Sequence, residues 1–561
     1  MSAPLVSRRG VLTAAGASAG LAAFGFGRPV RAARTEAVAV RTQAGDLRGL
    51  RSAAGVVSFK GVPYGEPTGG AARFLPPRPK TPWAGVRDAF DFGQQCPQFD
   101  QYPRDRQVEM ARLFGGRDRG PAGEDCLVLN VWTTDVAPRR NKPVLFWIHG
   151  GRWLGGSGAS PVCDGANLAA TGEAVVVTIN HRLGAFGYLH LAEVAGEPYA
   201  SSGNVGVMDI VLALEWVRDN IEAFGGDPRR VLIFGESGGA QKVSMLLATP
   251  AAKGLFHRAA VQSGPGARVL TQAQANRSAR SVLAALGLAP GDWARLREAP
   301  ADKLLAAQYA IVRELKMDLF NGLIGGFAGV ADGAYLPAQP FDPAAPDLST
   351  HVPMLIGTTG TEMSLFTLGY PAIMSMSEAD IAPRLAPRLG AAVPEVIEAY
   401  RADFPHLKPY EFVERIQSDY PLRVLSVEMA ERKAAQRGAP TFMYQVEYRS
   451  PAVSSGVPVK SPHSIDVPLV FGNTASAPGM FTDRAGAEAV SRRMGAAWIA
   501  FAATGSPSTR DLPRWAPYSV DHRATMLIDQ ESQVVVDPNA NERRVFAKHK
   551  DDLVREIPNS T

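Results

Sequence analysis

Two kinds of apolar pattern divide the chain. Residues 144–148 (Val-Leu-Phe-Trp-Ile) and 174–179 are unbroken apolar runs, which suits parallel strands covered on both faces; 231–234, 259–262, 353–356 and 441–446 extend the series. Residues 207–224 and 241–248 instead carry apolar positions at helical spacing. Strands alternating with helices predict a largely parallel α/β sheet. Ahead of them, 38–40, 47–50 and 56–59 are short strand-like runs separated by glycines, the pattern of an antiparallel meander at a sheet edge. Arg73-Phe74-Leu75-Pro76-Pro77 and Thr81-Pro82-Trp83 are proline-fixed and extended, and 97–125 is polar and irregular, as for a surface flap. Two stretches rich in Ala, Leu and charged residues, 271–317 and 377–437, predict helical cap insertions over the sheet.

The first thirty-odd residues break this pattern. Ser7-Arg8-Arg9-Gly10-Val11-Leu12 sets a twin arginine before an uncharged Ala/Gly-rich run, and Val30-Arg31-Ala32 offers small residues for cleavage. Residues 1–32 are therefore expected to be a twin-arginine export signal, with a periplasmic or secreted product. The alternative, an N-terminal membrane anchor, fits poorly with so much Ala and Gly. No linker, charge block or internal repeat divides the remainder, so 33–561 is expected to form a single domain.

The formal charge of the chain is +5. Removing residues 1–32 takes away four arginines and no acid, which lowers Lys+Arg from 59 to 55 against 54 acids and the charge to +1. The basicity belongs to the signal, and neither nucleic acid nor an anionic membrane is an expected partner. Three cysteines, Cys96, Cys126 and Cys163, suit an exported protein with one disulfide. Cys96 and Cys126 are the expected pair, closing a loop worth about 3 to 4 kcal/mol on the chain-entropy model; Cys163 is expected as a free, partly buried thiol.

Candidate chemistry starts at Phe234-Gly235-Glu236-Ser237-Gly238-Gly239-Ala240. It lies between an apolar strand and a helical stretch, the context of a G-x-S-x-G nucleophile elbow, which makes Ser237 the candidate nucleophile. Context matters, because Gly16-Ala17-Ser18-Ala19-Gly20 fits the same pattern inside the signal. His149-Gly150-Gly151-Arg152-Trp153 follows another buried strand, where backbone N–H groups can face an oxyanion; an ordinary glycine-rich loop is the other reading. Glu362, just past the strand ending near Ile356, is the candidate acid, and His463 the candidate base. The order Ser, acid, His is that of α/β-hydrolases, although by periodicity alone any of the nine histidines could be structural. No H-E-x-x-H, C-x-x-C or P-loop pattern occurs, so neither a metal nor a cofactor is expected.

Further landmarks are Phe59-Lys60-Gly61-Val62-Pro63-Tyr64, Glu124-Asp125-Cys126-Leu127-Val128-Leu129-Asn130, Asn180-His181-Arg182-Leu183-Gly184, Gly203-Asn204-Val205-Gly206, Gly225-Gly226-Asp227-Pro228 and Gln262-Ser263-Gly264. With these the chain resembles the type-B carboxylesterases, the family that includes cholinesterases and bacterial para-nitrobenzyl esterases. The resemblance runs from near residue 40 to near 537 and implies an α/β-hydrolase fold and hydrolysis of small-molecule carboxylic esters. It implies Ser237 as nucleophile, Glu362 as acid, His463 as base, and oxyanion donors on the N–H groups of Gly151, Arg152 and Gly238. It also implies supporting roles for Glu236 and Ser263, the Cys96–Cys126 bridge, and structural ion pairs Arg73–Glu124 and Arg182–Asp209. The chain departs from the family pattern at Arg152, where most relatives have glycine, and at Thr361 and Met363, which flank Glu362 in place of Asp and Gly. No tryptophan lies in 97–125, so the aromatic cation site of cholinesterases has no counterpart there and choline esters are not expected substrates. The reading from a different class is a non-catalytic cholinesterase-like binding module.

Overall fold

The computed structural model describes residues 36–99, 104–116, 120–137, 141–314, 326–550 and 553. The expected export signal lies outside them. A sheet of 13 strands organises the chain. In chain order they are β1 (Glu36–Arg41), β2 (Asp46–Arg51), β3 (Val57–Pro63), β4 (Val86–Asp88), β5 (Val128–Thr133), β6 (Lys142–Ile148), β7 (Val175–Ile179), β8 (Gly226–Glu236), β9 (Arg258–Gln262), β10 (Met354–Thr359), β11 (Thr441–Val446), β12 (Ala524–Ile528) and β13 (Gln533–Val536). They lie in the order β1-β2-β3-β5-β7-β6-β8-β9-β10-β11-β12-β13, with β4 beside β2. The seven strands from β7 to β12 are parallel to their neighbours. Antiparallel pairs flank them on both sides, the N-terminal meander on one and β13 on the other. With helices packed on this sheet, the architecture is the α/β-hydrolase fold.

The unbroken apolar runs are explained by two separate cores. Along β6, Val144, Phe146 and Ile148 enter the core on one face while Leu145 and Trp147 enter the core on the other; β8 repeats this with Val231 and Ile233 against Leu232 and Phe234. Since successive side chains of a strand point to opposite faces, a strand covered on both must be apolar at every position. Helix α1 (Val205–Asn220) covers the first face with Val207, Ile210, Leu214 and Val217. On the other, α4 (Arg484–Thr504) contributes Val490, Met494, Trp498 and Phe501. A third, smaller core ties Ile381, Leu385, Val396, Tyr400 and Phe412 of the second cap stretch to Phe546 near the C-terminal end. The first cap stretch, with Ala275, Val282 and Ile311, merges with the main core. Among the described residues no helix is long and apolar enough to cross a membrane.

The structure corrects the sequence reading in several places. The stretch 97–125 contains a helix, Arg104–Phe114, whose Met110 and Leu113 are buried; this narrow apolar stripe is masked by the charges around it. Cys96 and Cys126 are free thiols and not a bridge. They nevertheless touch: a hydrogen bond to Cys96, together with burial, holds the Cys126 thiol well above the usual thiol range, and Cys96 Sγ accepts the Leu183 N–H at 3.2 Å. Cys163 is fully and not partly buried. Both expected ion pairs are present. Arg182 and Asp209 meet at 2.6 Å in the interior, and Arg73 Nε donates to Glu124 at 2.8 Å.

Candidate active site

Strand β8 ends at Glu236 and helix α2 (Gly238–Leu247) begins two residues later. Between them Ser237 takes φ +56° and ψ −123°, a conformation side-chain-bearing residues rarely adopt. The turn is tight because the following residues have no side chain. A Cβ on Gly239 would overlap the Ile148 carbonyl, and one on Gly238 would overlap the backbone of Arg152. The Ser237 N–H donates to the Gln262 carbonyl at 2.8 Å, which anchors the elbow to β9.

His463 comes from the loop before helix α3 (Asp466–Phe471) and Glu362 from the turn after β10. His463 Nδ1 lies 2.6 Å from Glu362 Oε2, and the other oxygen of that carboxylate accepts the Thr359 N–H at 2.8 Å. The His463 N–H also donates to the Glu362 carbonyl at 3.2 Å. The unusual flanks of Glu362 leave this geometry intact, and the Met363 N–H is taken up by Ser418 Oγ at 3.0 Å. On the opposite side of the ring, His463 Nε2 lies 3.0 Å from Glu236 Oε1, an oxygen that also accepts the Ser464 hydroxyl at 2.7 Å. Burial alone would lower the pKa of the imidazole, but the charges of Glu236 and Glu362 outweigh it and hold the ring well above its ordinary value. The ring thus lies between two carboxylates, Glu362 on Nδ1 and Glu236 on Nε2.

Behind it sits a third carboxylate that sequence reasoning did not single out. Asp466 Oδ2 accepts from Gln262 Nε2 at 2.8 Å and from the Tyr444 hydroxyl at 3.2 Å. Burial and the nearby charge of Glu236 push its pKa up to about 7. Ser263 lies where expected, next to Ser237, with its hydroxyl buried and without a partner among the described residues.

The loop after β6 faces Ser237. Gly151 and Arg152 both have left-handed backbone, at φ +93° and +59°, and the carbonyl of Gly151 accepts the Gly155 N–H at 3.0 Å, curling the loop back on itself. Gln98 braces the far end, accepting the Gly156 N–H at 2.8 Å and donating to the Gly156 carbonyl at 2.9 Å. The loop lies directly on the start of α2, so the residues expected as oxyanion donors, Gly151, Arg152 and Gly238, come together beside Ser237.

Two cavities meet there. One of about 220 Å³ is walled by Phe99, Met110, Phe114, Trp147, Leu365 and Val467, with Glu236 and Ser464 at its base. A smaller one of about 40 Å³ is closed by Met363, Pro421 and Leu422. Ser237, Arg152, Phe366 and His463 border both.

This geometry is matched by whole-chain similarity: residues 36–546 fit the model of the carboxylesterase family. The chain belongs to that family. The esterase is 36% identical over 514 residues to the para-nitrobenzyl esterase of Bacillus subtilis (strain 168), covering 90% of this chain and 97% of the relative. It is 33% identical to the phenmedipham hydrolase of Pseudarthrobacter oxydans, over 88% and 95% of the two chains. A solved carboxylesterase of Geobacillus stearothermophilus superposes with a TM-score of 0.77 at 36% identity, over 90% of this chain and 99% of its own. The protein is a serine carboxylesterase, a carboxylic ester hydrolase.

Proposed function

We propose that Ser237 is the nucleophile, His463 the general base and acid, and Glu362 the residue that orients and charge-stabilises the histidine. The carrying observation is the 2.6 Å bond from Glu362 to His463 beside the strained Ser237 elbow. In the reactive form the ring is neutral and its Nε2 turns from Glu236 to the serine. The Ser237 oxygen attacks the ester carbonyl carbon while its proton passes to Nε2. The carbonyl oxygen becomes an oxyanion held by the N–H groups of Gly151, Arg152 and Gly238, each such donor being worth about 3 to 4 kcal/mol of barrier. The carbon–oxygen bond to the alcohol then breaks, His463 returns the proton to the departing oxygen, and water attacks the acyl-enzyme by the same steps.

The two cavities support a substrate class. The leaving oxygen takes its proton from Nε2, and of the two spaces that His463 borders only the larger has room for a ring. The alcohol therefore occupies the larger, aromatic-walled space and the acyl chain the smaller. With one water-sized sphere needing about 10 to 15 Å³, the small cavity suits an acyl chain of two to four carbons and the large one an aromatic alcohol. The name of the Bacillus subtilis relative, a para-nitrobenzyl esterase, points the same way.

We further propose that residues 1–32 direct export through the twin-arginine route and that residues 33–561 are the mature domain, in the periplasm or the medium. There the touching thiols of Cys96 and Cys126 would meet oxidising conditions and join. Counting alkylatable thiols in denatured protein purified from the periplasm, against protein made without the signal, tests the joining, with one against three expected and three in each refuting it; full-length protein confined to the cytoplasmic fraction would refute export.

The enzymatic assignment is tested with para-nitrophenyl esters from acetate to octanoate. Turnover should peak at a short acyl chain and vanish in Ser237→Ala with an unchanged circular dichroism spectrum. Equal activity in both proteins would remove Ser237 from the mechanism.

A further inference from the structure

Lys242 is the fifth residue of α2 and is fully buried. A lysine in a protein interior normally has a carboxylate beside it. Lys242 has none at ion-pair distance among the described residues, and burial pushes its pKa down to about 7. Its Nζ donates instead to two carbonyls, that of Arg152 at 2.8 Å and that of Gly238 at 3.1 Å. It also lies 4.7 Å from the centre of the Trp153 ring, whose own N–H donates to Gln241 Oε1 at 2.7 Å.

These partners are not arbitrary. Arg152 and Gly238 sit on different segments, the loop after β6 and the start of α2, and each supplies one of the proposed oxyanion donors. The segments are in van der Waals contact, since a Cβ on Gly238 would strike the Arg152 backbone. The loop is strained at that point, because Arg152 carries a side chain at φ +59°. One Nζ therefore bridges the contact across which the oxyanion donors must keep their spacing. An apolar side chain of the same length would fill the space without the penalty of burying a charge.

We infer that Lys242 is a positioning residue for ester hydrolysis: its Nζ, donating to both carbonyls, clamps the Arg152 loop to the Gly238 helix start. The inference rests on the assignment of Gly151, Arg152 and Gly238 as oxyanion donors. Because the oxyanion exists only after attack, losing the clamp should weaken transition-state stabilisation and leave substrate binding alone.

The test is Lys242→Met, which keeps length and apolar volume. With a para-nitrophenyl short-chain ester, kcat should fall by about 30- to 100-fold with KM within about twofold. A trifluoromethyl ketone, which adds the serine to form a tetrahedral oxyanion, should lose affinity by a similar factor, whereas the matching methyl ketone should not. Lys242→Gln keeps a donor without the charge and should fall between wild type and Lys242→Met; it also serves if the methionine variant does not fold. A folded variant with wild-type kcat, or equal losses for both ketones, overturns the inference. A fluorophosphonate label mapped by mass spectrometry separates this from failure of the site assignment: labelling at a residue other than Ser237 would refute the triad itself, whatever the lysine variants do.

Discussion

Glu236 Oε1 lies 3.0 Å from Nε2 of His463, the nitrogen that must take the proton of Ser237. The carboxylate adjoining the nucleophile in sequence thus competes with it for the base. Against the effect of burial, its charge and that of Glu362 raise the pKa of the ring well above the ordinary value. A charged imidazole cannot act as a base, so kcat/KM should rise with pH through that raised pKa.

Glu236→Gln removes one of the two charges that raise it. The acid limb of the kcat/KM profile should then move to lower pH by about one unit or more, since a nearby opposite charge typically shifts a pKa by that amount. A full pH–rate profile on one para-nitrophenyl ester checks it. An unmoved limb would mean that another group sets it, and Asp466, with its pKa near 7, is the first to examine.

Asp466 gives a separate prediction for stability. Its folded pKa of about 7 lies above the ordinary carboxylate value of 3.8, so the native protein binds this proton more tightly than the unfolded chain. The group's contribution is fully favourable below about pH 4 and is lost as pH rises towards 7. Asp466→Asn cannot ionise and should raise the apparent Tm by about 2 to 4 °C at pH 8 while changing it little at pH 4. Thermal scans at the two pH values read this directly; an equal shift at both would show that the carboxylate stays protonated throughout.

Much of this site is legible in the sequence, but by unequal means. Ser237 can be read from physics, because an apolar strand, a serine between glycines and a helix leave little else for that turn to be. Glu362 and His463 lie 101 residues apart and meet only through the order of strands in the sheet, so position past a strand and chain order make them candidates and family resemblance is needed to single them out. Lys242 and Asp466 are hidden for a different reason: charged residues default to the surface, and nothing local says that the start of α2 or α3 has no solvent-facing side. β12 is only five residues long, and the edge strand β13 is four residues and half exposed, which leaves weak periodicity. The helix Arg104–Phe114 is legible only once the cavity wall that its Met110 and Phe114 form is known.

Gly238 offers a steric test of the oxyanion arrangement. A methyl group there would overlap the Arg152 backbone, forcing apart the two segments that carry the donors. Gly238→Ala should keep the fold, since alanine favours a helix start over glycine, yet lose at least about 100-fold in kcat, the typical effect of removing one oxyanion donor. Steady-state kinetics beside circular dichroism distinguish this from unfolding, and retention of kcat within a few-fold would place the oxyanion elsewhere.

The acyl preference can be moved by design. Leu422 closes the small cavity and does not border the large one, so Leu422→Ala should lengthen the acyl side without touching the alcohol side. Each added methylene that finds apolar room is worth about 1 to 3 kcal/mol of discrimination. The kcat/KM for a hexanoate ester should therefore rise by about tenfold relative to acetate. Varying the alcohol at constant acetyl should leave the ranking as in wild type. If the alcohol ranking changes and the acyl ranking stays, the two cavities have the opposite roles, and His463 must deliver its proton towards the Gly238 side of the serine.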